Sequence, residues 1–170
     1  MVIVPTRELA IQVANEYEKL QLFEGEFSIL SIYGGTPIYK HKKALRFGVD
    51  VVVGTPGRVI DLSKRGDLKY DNLQAMILDE ADEMLNMGFQ EDIECIYENI
   101  DEQGQHKVQN LLFSATMPPW VLEIAENFMA KGYEFLDLLK DVVLKTPTTV
   151  EHLAIKCPFN SRLDIMADVV

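Results

Sequence analysis

The chain has 170 residues, 48% of them apolar and 25% charged, which is ordinary for a globular domain with a core of its own. Its formal net charge of −11 argues against a broad basic face for nucleic acid, although a narrow groove built from helix N-termini and a few arginines stays possible. No apolar run approaches membrane-spanning length, and the two cysteines and three histidines are too scattered for a zinc site.

Short β-branched runs alternate with amphipathic stretches along the chain. In chain order this pattern predicts strands at 2–4, 27–33, 50–55, 74–79, 109–115, 133–138 and 150–157. Between them it predicts helices at 7–22, at 37–47, from Pro56 to a stop at Gly66, at 118–131 and at 161–170. A further helical region follows the strand at 74–79 and runs to about residue 100, with a break near Gly88. Strands that read as apolar runs and are each followed by a helix indicate an α/β fold with a parallel sheet covered on both faces.

Ligands of such sheets bind beyond the carboxyl ends of the strands. Every notable polar cluster of this sequence follows a predicted strand, so we expect all of them on one rim. The clusters are Pro5-Thr6-Arg7, Gly34-Gly35, Thr55-Pro56-Gly57-Arg58, Asp79-Glu80-Ala81-Asp82 and Ser114-Ala115-Thr116.

Asp79 and Glu80 directly follow the apolar run 75–78. A carboxylate there can hold Mg²⁺ through water, because Mg²⁺ dehydrates reluctantly, and a second acid can orient and deprotonate an attacking water. The macrodipole also explains acids at a helix N-terminus, and for this pair alone that interpretation is favoured. Asp82 makes a functional site the more favoured interpretation, because it could meet a hydroxyl of Ser114 or Thr116 across the sheet end. Thr116 alone is better explained as a cap of the next helix.

The cluster around Thr55, Gly57 and Arg58 combines a capped helix N-terminus, a close backbone approach and a guanidinium, all of which suit a phosphate. Residues 5–7 have the same chemistry. Plain strand-to-helix turns explain both clusters at least as well, and the glycine pair 34–35 is more often only a turn.

Taken in order, PTRELA, GG, TPGR, DEAD and SAT resemble motifs Ia, GG, Ib, II and III of the DEAD-box ATP-dependent RNA helicases. The resemblance covers essentially the whole chain, and MLNMGF at 84–89 fits the stretch that follows DEAD in that family. A weaker similarity, carried by MPPWV at 117–121 and TVEHLAIKC at 149–157, is to the nucleolar Gu, or RNA helicase II, branch.

The resemblance implies a RecA-like three-layer α/β/α fold with a mainly parallel sheet, the first lobe of a P-loop NTPase helicase lacking its P-loop strand. Residues 1–150 would be a partial ATP-binding domain and residues 151–170 the start of the connection toward an absent second lobe. The family's G-x-x-x-x-G-K-[ST] loop is missing, because no Gly-Lys pair occurs in the chain. We therefore expect a chain cut at both ends. The strands ending at Asp79 and Ala115 would expose apolar edges and cause self-association.

The resemblance also implies roles. Asp79 would hold Mg²⁺ through water, Glu80 would position the hydrolytic water, and Asp82 with Ser114 and Thr116 would link hydrolysis to strand separation. The residues implied to lie against the RNA sugar-phosphate backbone are Pro5, Thr6, Arg7, Gly35, Thr55, Gly57 and Arg58.

The implied cofactors are ATP and Mg²⁺, and the implied partner is RNA, bound without sequence preference and with no membrane involved. The full-length parent would unwind short RNA duplexes, whereas the isolated chain would be inactive. The implied location is the nucleus, within it the nucleolus, with the cytoplasm as the alternative. Two other functions remain open: an RNA-binding module that does not use ATP, and a protein-interaction module.

Overall fold

The computed structural model describes residues 1–24, 27–102, 108–138, 150–151 and 153–169. They divide into two compact units, Met1–Tyr133 and Glu134–Val170. The predicted boundary at residue 150 marks the end of a helicase domain, whereas the division at Tyr133 separates two compact units. The boundary at residue 150 therefore stays a prediction.

The first unit is built on a parallel sheet of five short strands. The strands are β1 (Val2–Ile3), β2 (Ile29–Ile32), β3 (Val51–Gly54), β4 (Ala75–Leu78) and β5 (Gln109–Leu112). Their spatial order is β2-β3-β1-β4-β5, so the first strand of the chain lies at the centre. Val2 pairs with Val53 on one side and with Ile77 on the other. The predicted α/β fold with a parallel sheet is confirmed.

Helices follow the strands as the sequence pattern predicts. They are α1 (Arg7–Glu24), α2 (Ile38–Arg46), α3 (Pro56–Lys64), α4 (Ala81–Asn86), α5 (Gln90–Glu102), α6 (Pro119–Phe128) and, in the second unit, α7 (Arg162–Val169) after a 3-10 turn. The break between α4 and α5 falls at Gly88, whose φ of +77° is the left-handed conformation that glycine adopts without strain. None of the described helices is long and apolar enough to cross a membrane.

The two faces of the sheet are buried by different helices. Val2 and Val4 pack with Ala10 and Ala14 of α1 on one face. Ile3, between them in sequence, points to the other face and joins a larger cluster with residues of α3, α5 and α6. This alternation along β1 is the period of two that strand geometry imposes, and it gives the three layers of the predicted architecture.

Two predicted strands are absent. The described residues in 133–138 and 150–157 form no strand. Their apolar side chains are exposed, with Leu138 at 87% and Leu153 at 80%. β-Propensity reflects packing against neighbouring strands, and without that packing it does not produce a strand. Residues 103–107 of the predicted polar loop lie outside the described residues.

The expected exposed edge of the strand ending at Asp79 is also wrong. That strand is β4, and it pairs with β1 on one side and with β5 on the other. Because β5 pairs with the side of β4 that faces away from β1, the open edge lies one strand further out than expected. Among the described strands, β5 ends the sheet on that side.

Candidate functional site

The strand order sorts the polar clusters along one rim of the sheet. The glycine pair follows β2, the cluster of Thr55 follows β3, and residues 5–7 follow the central β1. Asp79 and Glu80 follow β4, and Ser114 follows β5. Because the strands are parallel, all these residues lie at one rim of the sheet. The strand order places Arg7 and Arg58 toward one half of that rim and the acids toward the other.

Asp82 joins the ends of β4 and β5. Its Oδ2 accepts hydrogen bonds from the Thr116 hydroxyl at 2.6 Å and from the Thr116 backbone N–H at 3.0 Å. The backbone N–H of Asp82 donates to Ser114 Oγ at 3.2 Å, and that hydroxyl donates to the Thr116 carbonyl at 2.6 Å. The predicted contact of Asp82 with both hydroxyls is thus present. Thr116 does not cap α6, because the residue at its N-cap position is Pro118.

These bonds favour the ionised form of Asp82. Partial burial is the largest single influence, and it raises the pKa of the Asp82 carboxyl. Several hydrogen bonds, chiefly from Thr116, together outweigh burial and hold that pKa below its usual value. Asp82 is therefore an acceptor of hydrogen bonds at neutral pH and holds its place as an anion.

Glu80 adopts a backbone conformation that side-chain-bearing residues rarely use. Its φ of 53° and ψ of 48° are left-handed, and it is the only non-glycine residue with positive φ among those described. Its backbone N–H donates to Oδ1 of Asp79 at 3.0 Å. Such a conformation costs about 1–3 kcal/mol and persists only where the surroundings impose it, which is frequent at functional sites.

The acids line an open cleft of about 690 Å³. The described residues of its walls carry four carboxylates and no basic side chain; they are Thr6, Asp79, Glu80, Asp82, Glu83, Phe113, Ser114 and Ala115. Asp79 is half-buried here and suits a hydrated Mg²⁺, which needs only one or two carboxylates and keeps several waters. No group of three potential metal ligands occurs among the described residues. The cleft does not fit a triphosphate by itself, since its carboxylates repel phosphate.

A larger cleft of about 1190 Å³ lies at the opposite edge of the sheet. Residues at the amino ends of the strands line it, including Met1, Asp50 and Gln74. None of the predicted site residues lies in it. Size alone therefore does not select the site, and the chemistry lies in the smaller cleft.

The basic half of the rim is held by a second set of contacts. Nη1 of Arg58 donates to the Thr36 carbonyl at 2.9 Å and lies 2.9 Å from Nδ1 of His41. The guanidinium carbon of Arg7 lies 5.1 Å from the centre of the Tyr33 ring, which is cation–π distance. A Cβ placed on Gly35 would lie 3.5 Å from Nη1 of Arg7, so the predicted Gly35 and Arg7 are neighbours.

The remaining predicted residues have mixed surroundings. Thr6 lies in the acidic cleft, and its hydroxyl accepts from the Leu9 N–H at 3.2 Å, which caps α1. Pro5 is buried and Gly57 is exposed. Thr55 occupies the N-cap position of α3, but its side chain makes no capping hydrogen bond, so the predicted hydroxyl cap is wrong.

Sequence reasoning missed Tyr33 and His41. Both touch a predicted arginine, yet neither belongs to a motif cluster. The one available signal was position, because Tyr33 directly follows β2 on the functional rim. His41 lies in the second turn of α2 and carries no such signal.

Comparison with known proteins places these features in a family. Residues 1–124 match the family model described as DEAD/DEAH box helicase. Over its whole length the chain is 43% identical to DEAD-box ATP-dependent RNA helicase 7 of Spinacia oleracea and covers 24% of it. It is 40% identical to nucleolar RNA helicase 2 of Rattus norvegicus and covers 22% of it. The chain spans about a quarter of the length of these relatives.

The fold is shared with solved structures of the same kind. A DEAD box protein from the hyperthermophile Methanococcus jannaschii superposes with a TM-score of 0.70 at 48% sequence identity. The match covers 76% of this chain and 34% of that protein.

Proposed function

Because this chain belongs to the DEAD/DEAH box helicase family, we propose that it forms part of the first RecA-like lobe of an ATP-dependent RNA helicase. In the full-length protein the lobe binds ATP·Mg²⁺ and RNA, and ATP hydrolysis separates short RNA duplexes. The relative from Rattus norvegicus carries the name nucleolar RNA helicase 2, which supports a nuclear and nucleolar location as part of the same proposal.

The bonds between Asp82 and Thr116 carry this proposal. They tie the end of β4, where Asp79 and Glu80 lie, to the end of β5 across two neighbouring strands. In our assignment Asp79 holds Mg²⁺ through water and Glu80 positions the water that attacks the terminal phosphate. Asp82, Ser114 and Thr116 transmit the state of that site to the rest of the rim.

The other half of the rim binds the RNA backbone. Arg58 and Arg7 supply positive charge, and exposed backbone N–H groups near Gly35, Gly57 and the start of α3 suit phosphate oxygens. Pro5, Thr6 and Thr55 complete the predicted surface. Such contacts carry no base information, so the proposed binding is indifferent to RNA sequence.

Fluorescence anisotropy with a labelled single-stranded RNA tests the RNA half of the proposal. Arg58→Ala and Arg7→Ala are expected to weaken binding and to lessen its salt dependence, by a similar factor for unrelated sequences. Arg46→Ala is the control, because Arg46 is exposed like Arg7 but lines the cleft at the opposite edge of the sheet. Equal loss in all three variants would contradict a specific RNA rim.

The acidic cleft favours one second candidate, an RNA-binding module that does not use ATP. The part of its wall that the structure describes has no basic side chain to hold a triphosphate. RNA affinity that is unchanged by ATP·Mg²⁺, ADP or Glu80→Gln in the full-length protein would support this candidate over the helicase. A folded protein that binds no RNA would leave only the third possibility, a protein-interaction module.

A further inference from the structure

His41 is a buried polar residue with a definite partner. Its exposure is 3%, and it is the one buried polar or charged residue among the described positions. Its Nδ1 lies 2.9 Å from Nη1 of Arg58, and the same Nη1 also donates to the carbonyl of Thr36. A guanidinium has only donors, so Nδ1 must accept this hydrogen bond. The His41 ring is therefore neutral and carries its proton on Nε2.

The His41 ring is also held by Tyr33. The two rings meet edge to face, with centroids 6.2 Å apart and planes at 71°. Arg7 lies over the Tyr33 ring on the same rim. This pair of rings thus contacts both arginines that we assign to the RNA backbone. Tyr33 follows β2, and the other three residues lie on three different helices.

We propose that His41 is a positioning residue for RNA binding: its neutral ring holds Arg58 in place, and protonation of the ring releases Arg58 and weakens the binding. This inference rests on the proposed role of Arg58 as an RNA contact. An arginine already fixed in its bound geometry loses less side-chain entropy on binding than a free one, which is the physical gain from the histidine.

The surroundings of His41 oppose its protonation. Arg58 faces it from α3, Tyr33 faces it from the end of β2, and Arg7 lies beyond Tyr33. Its own helix adds three lysines, of which Lys42 pairs with Asp67 at 3.1 Å. Among the described residues no carboxylate forms an ion pair with His41. Burial, and then the charge of Arg58, lower the pKa of His41 below its usual value.

The lowered pKa of His41 sets the direction in which pH changes RNA affinity. With a lowered pKa the ring stays neutral at neutral pH, and protonation sets in only below the ordinary histidine value of about 6.5. A protonated ring has no acceptor for Arg58 and repels it. RNA affinity that depends on the pair should therefore fall as the pH drops through the range below about 6.5.

Two substitutions separate the acceptor from the volume of the ring. His41→Gln keeps an uncharged side chain with an acceptor oxygen, whereas His41→Phe keeps the packing but offers no acceptor. The probe is a labelled uridine oligonucleotide, whose bases do not titrate between pH 5 and pH 8. At pH 7.5 we expect His41→Phe to bind about tenfold more weakly than the unmodified chain, equivalent to about 1.4 kcal/mol. His41→Gln should bind within about twofold of the unmodified chain, a difference of less than about 0.5 kcal/mol.

The pH profile distinguishes positioning from a merely structural role. Between pH 7.5 and pH 5.5 the unmodified chain should lose affinity by a larger factor than His41→Gln, which has no group to protonate at this place. Parallel profiles for the two proteins would overturn the proposal. Thermal melts at both pH values verify that each variant is folded, and if His41→Phe is not, the profile of His41→Gln still decides.

Arg58→Ala separates this inference from the proposed function. If Arg58→Ala leaves RNA affinity unchanged, the RNA role of Arg58 fails and the inference fails with it. If Arg58→Ala weakens binding and His41→Phe does not, only the inference fails. Long-range ¹H–¹⁵N NMR of the His41 ring adds a readout without RNA: we expect an unprotonated Nδ1 and a higher pKa in Arg58→Ala. A proton on Nδ1 at neutral pH would overturn the proposal.

Discussion

One oxygen of Asp82 accepts two hydrogen bonds from Thr116, at 2.6 Å from its hydroxyl and at 3.0 Å from its backbone N–H. The two residues are 34 positions apart in sequence. This pair joins the chain beyond the end of β4 to the chain beyond the end of β5.

The coupling of Asp82 and Thr116 can be measured directly. We expect a double-mutant cycle with Asp82→Ala and Thr116→Ala to show a coupling of about 1 kcal/mol in the free energy of unfolding, because the charged hydrogen bond is partly exposed. Urea denaturation provides the measurement, and exposed Glu98→Ala with Thr116→Ala is a control pair that should be additive. Additive effects for Asp82 and Thr116 as well would contradict the observed contact.

The same carboxylate predicts a pH dependence of stability. Its folded pKa lies below the usual 3.8, so its contribution is present above that value and is lost as the pH falls through the folded pKa. The unfolding free energies of the unmodified chain and of Asp82→Asn should therefore differ more at pH 6 than at pH 3. A difference that grows toward acid pH would show that folding raises the pKa of Asp82, which would contradict the prediction.

Gly54 is required by packing rather than by backbone conformation. A Cβ at this position would lie 2.6 Å from Cγ1 of Ile32 and 2.8 Å from Cγ2 of Val59, both of which are fully buried. We expect Gly54→Ala to destabilise the fold by about 1–3 kcal/mol, the usual cost of overpacking a core. Gly34→Ala is the matched control, since a Cβ there meets nothing within 4 Å. A similar melting temperature for both variants would disprove this packing constraint.

The 170-residue chain should hydrolyse no ATP. The described residues that line the cleft include four carboxylates and no basic side chain. The sequence also has no Gly-Lys pair for a phosphate loop. We expect phosphate release at the level of buffer, with or without RNA, and no change in Glu80→Gln. RNA-stimulated release that Glu80→Gln abolishes would refute this prediction.

Among the described strands β5 ends the sheet, and we predict that its outer edge causes self-association. In a parallel sheet the outward N–H and C=O groups of an end strand can pair with another chain. We expect sedimentation to show concentration-dependent oligomers, reduced by Gln109→Lys, which adds a charge at the exposed start of β5. Asn15→Lys on α1 adds the same charge elsewhere and should have no effect. A monomer at all concentrations would contradict the prediction.

Much of the fold was predictable because local patterns and tertiary structure agree in Met1–Tyr133. Alternating apolar strands and amphipathic helices are local signals, and the breaks at Gly66 and Gly88 follow from their left-handed backbones. The two strands predicted at 133–138 and 150–157 failed because strand formation needs a partner that no local pattern contains.

The rim itself was predictable because strands of one direction end at one edge. The order of the clusters along the rim was not, because strand order depends on which strand inserts between which neighbours. That order placed Thr6 in the acidic cleft and removed the expected open edge from β4.

The sequence by itself determined the kinds of chemistry available to this protein, namely the acids that follow the strand ending at Leu78, the hydroxyls of Ser114 and Thr116, and the arginines. Only the tertiary structure decided which groups meet. The hydrogen bonds of Asp82 with Thr116 and of Arg58 with His41 join residues from different elements, and their distances follow from how the helices pack on the sheet. A residue such as His41 has no motif of its own, so its role becomes visible only when burial and a partner are known.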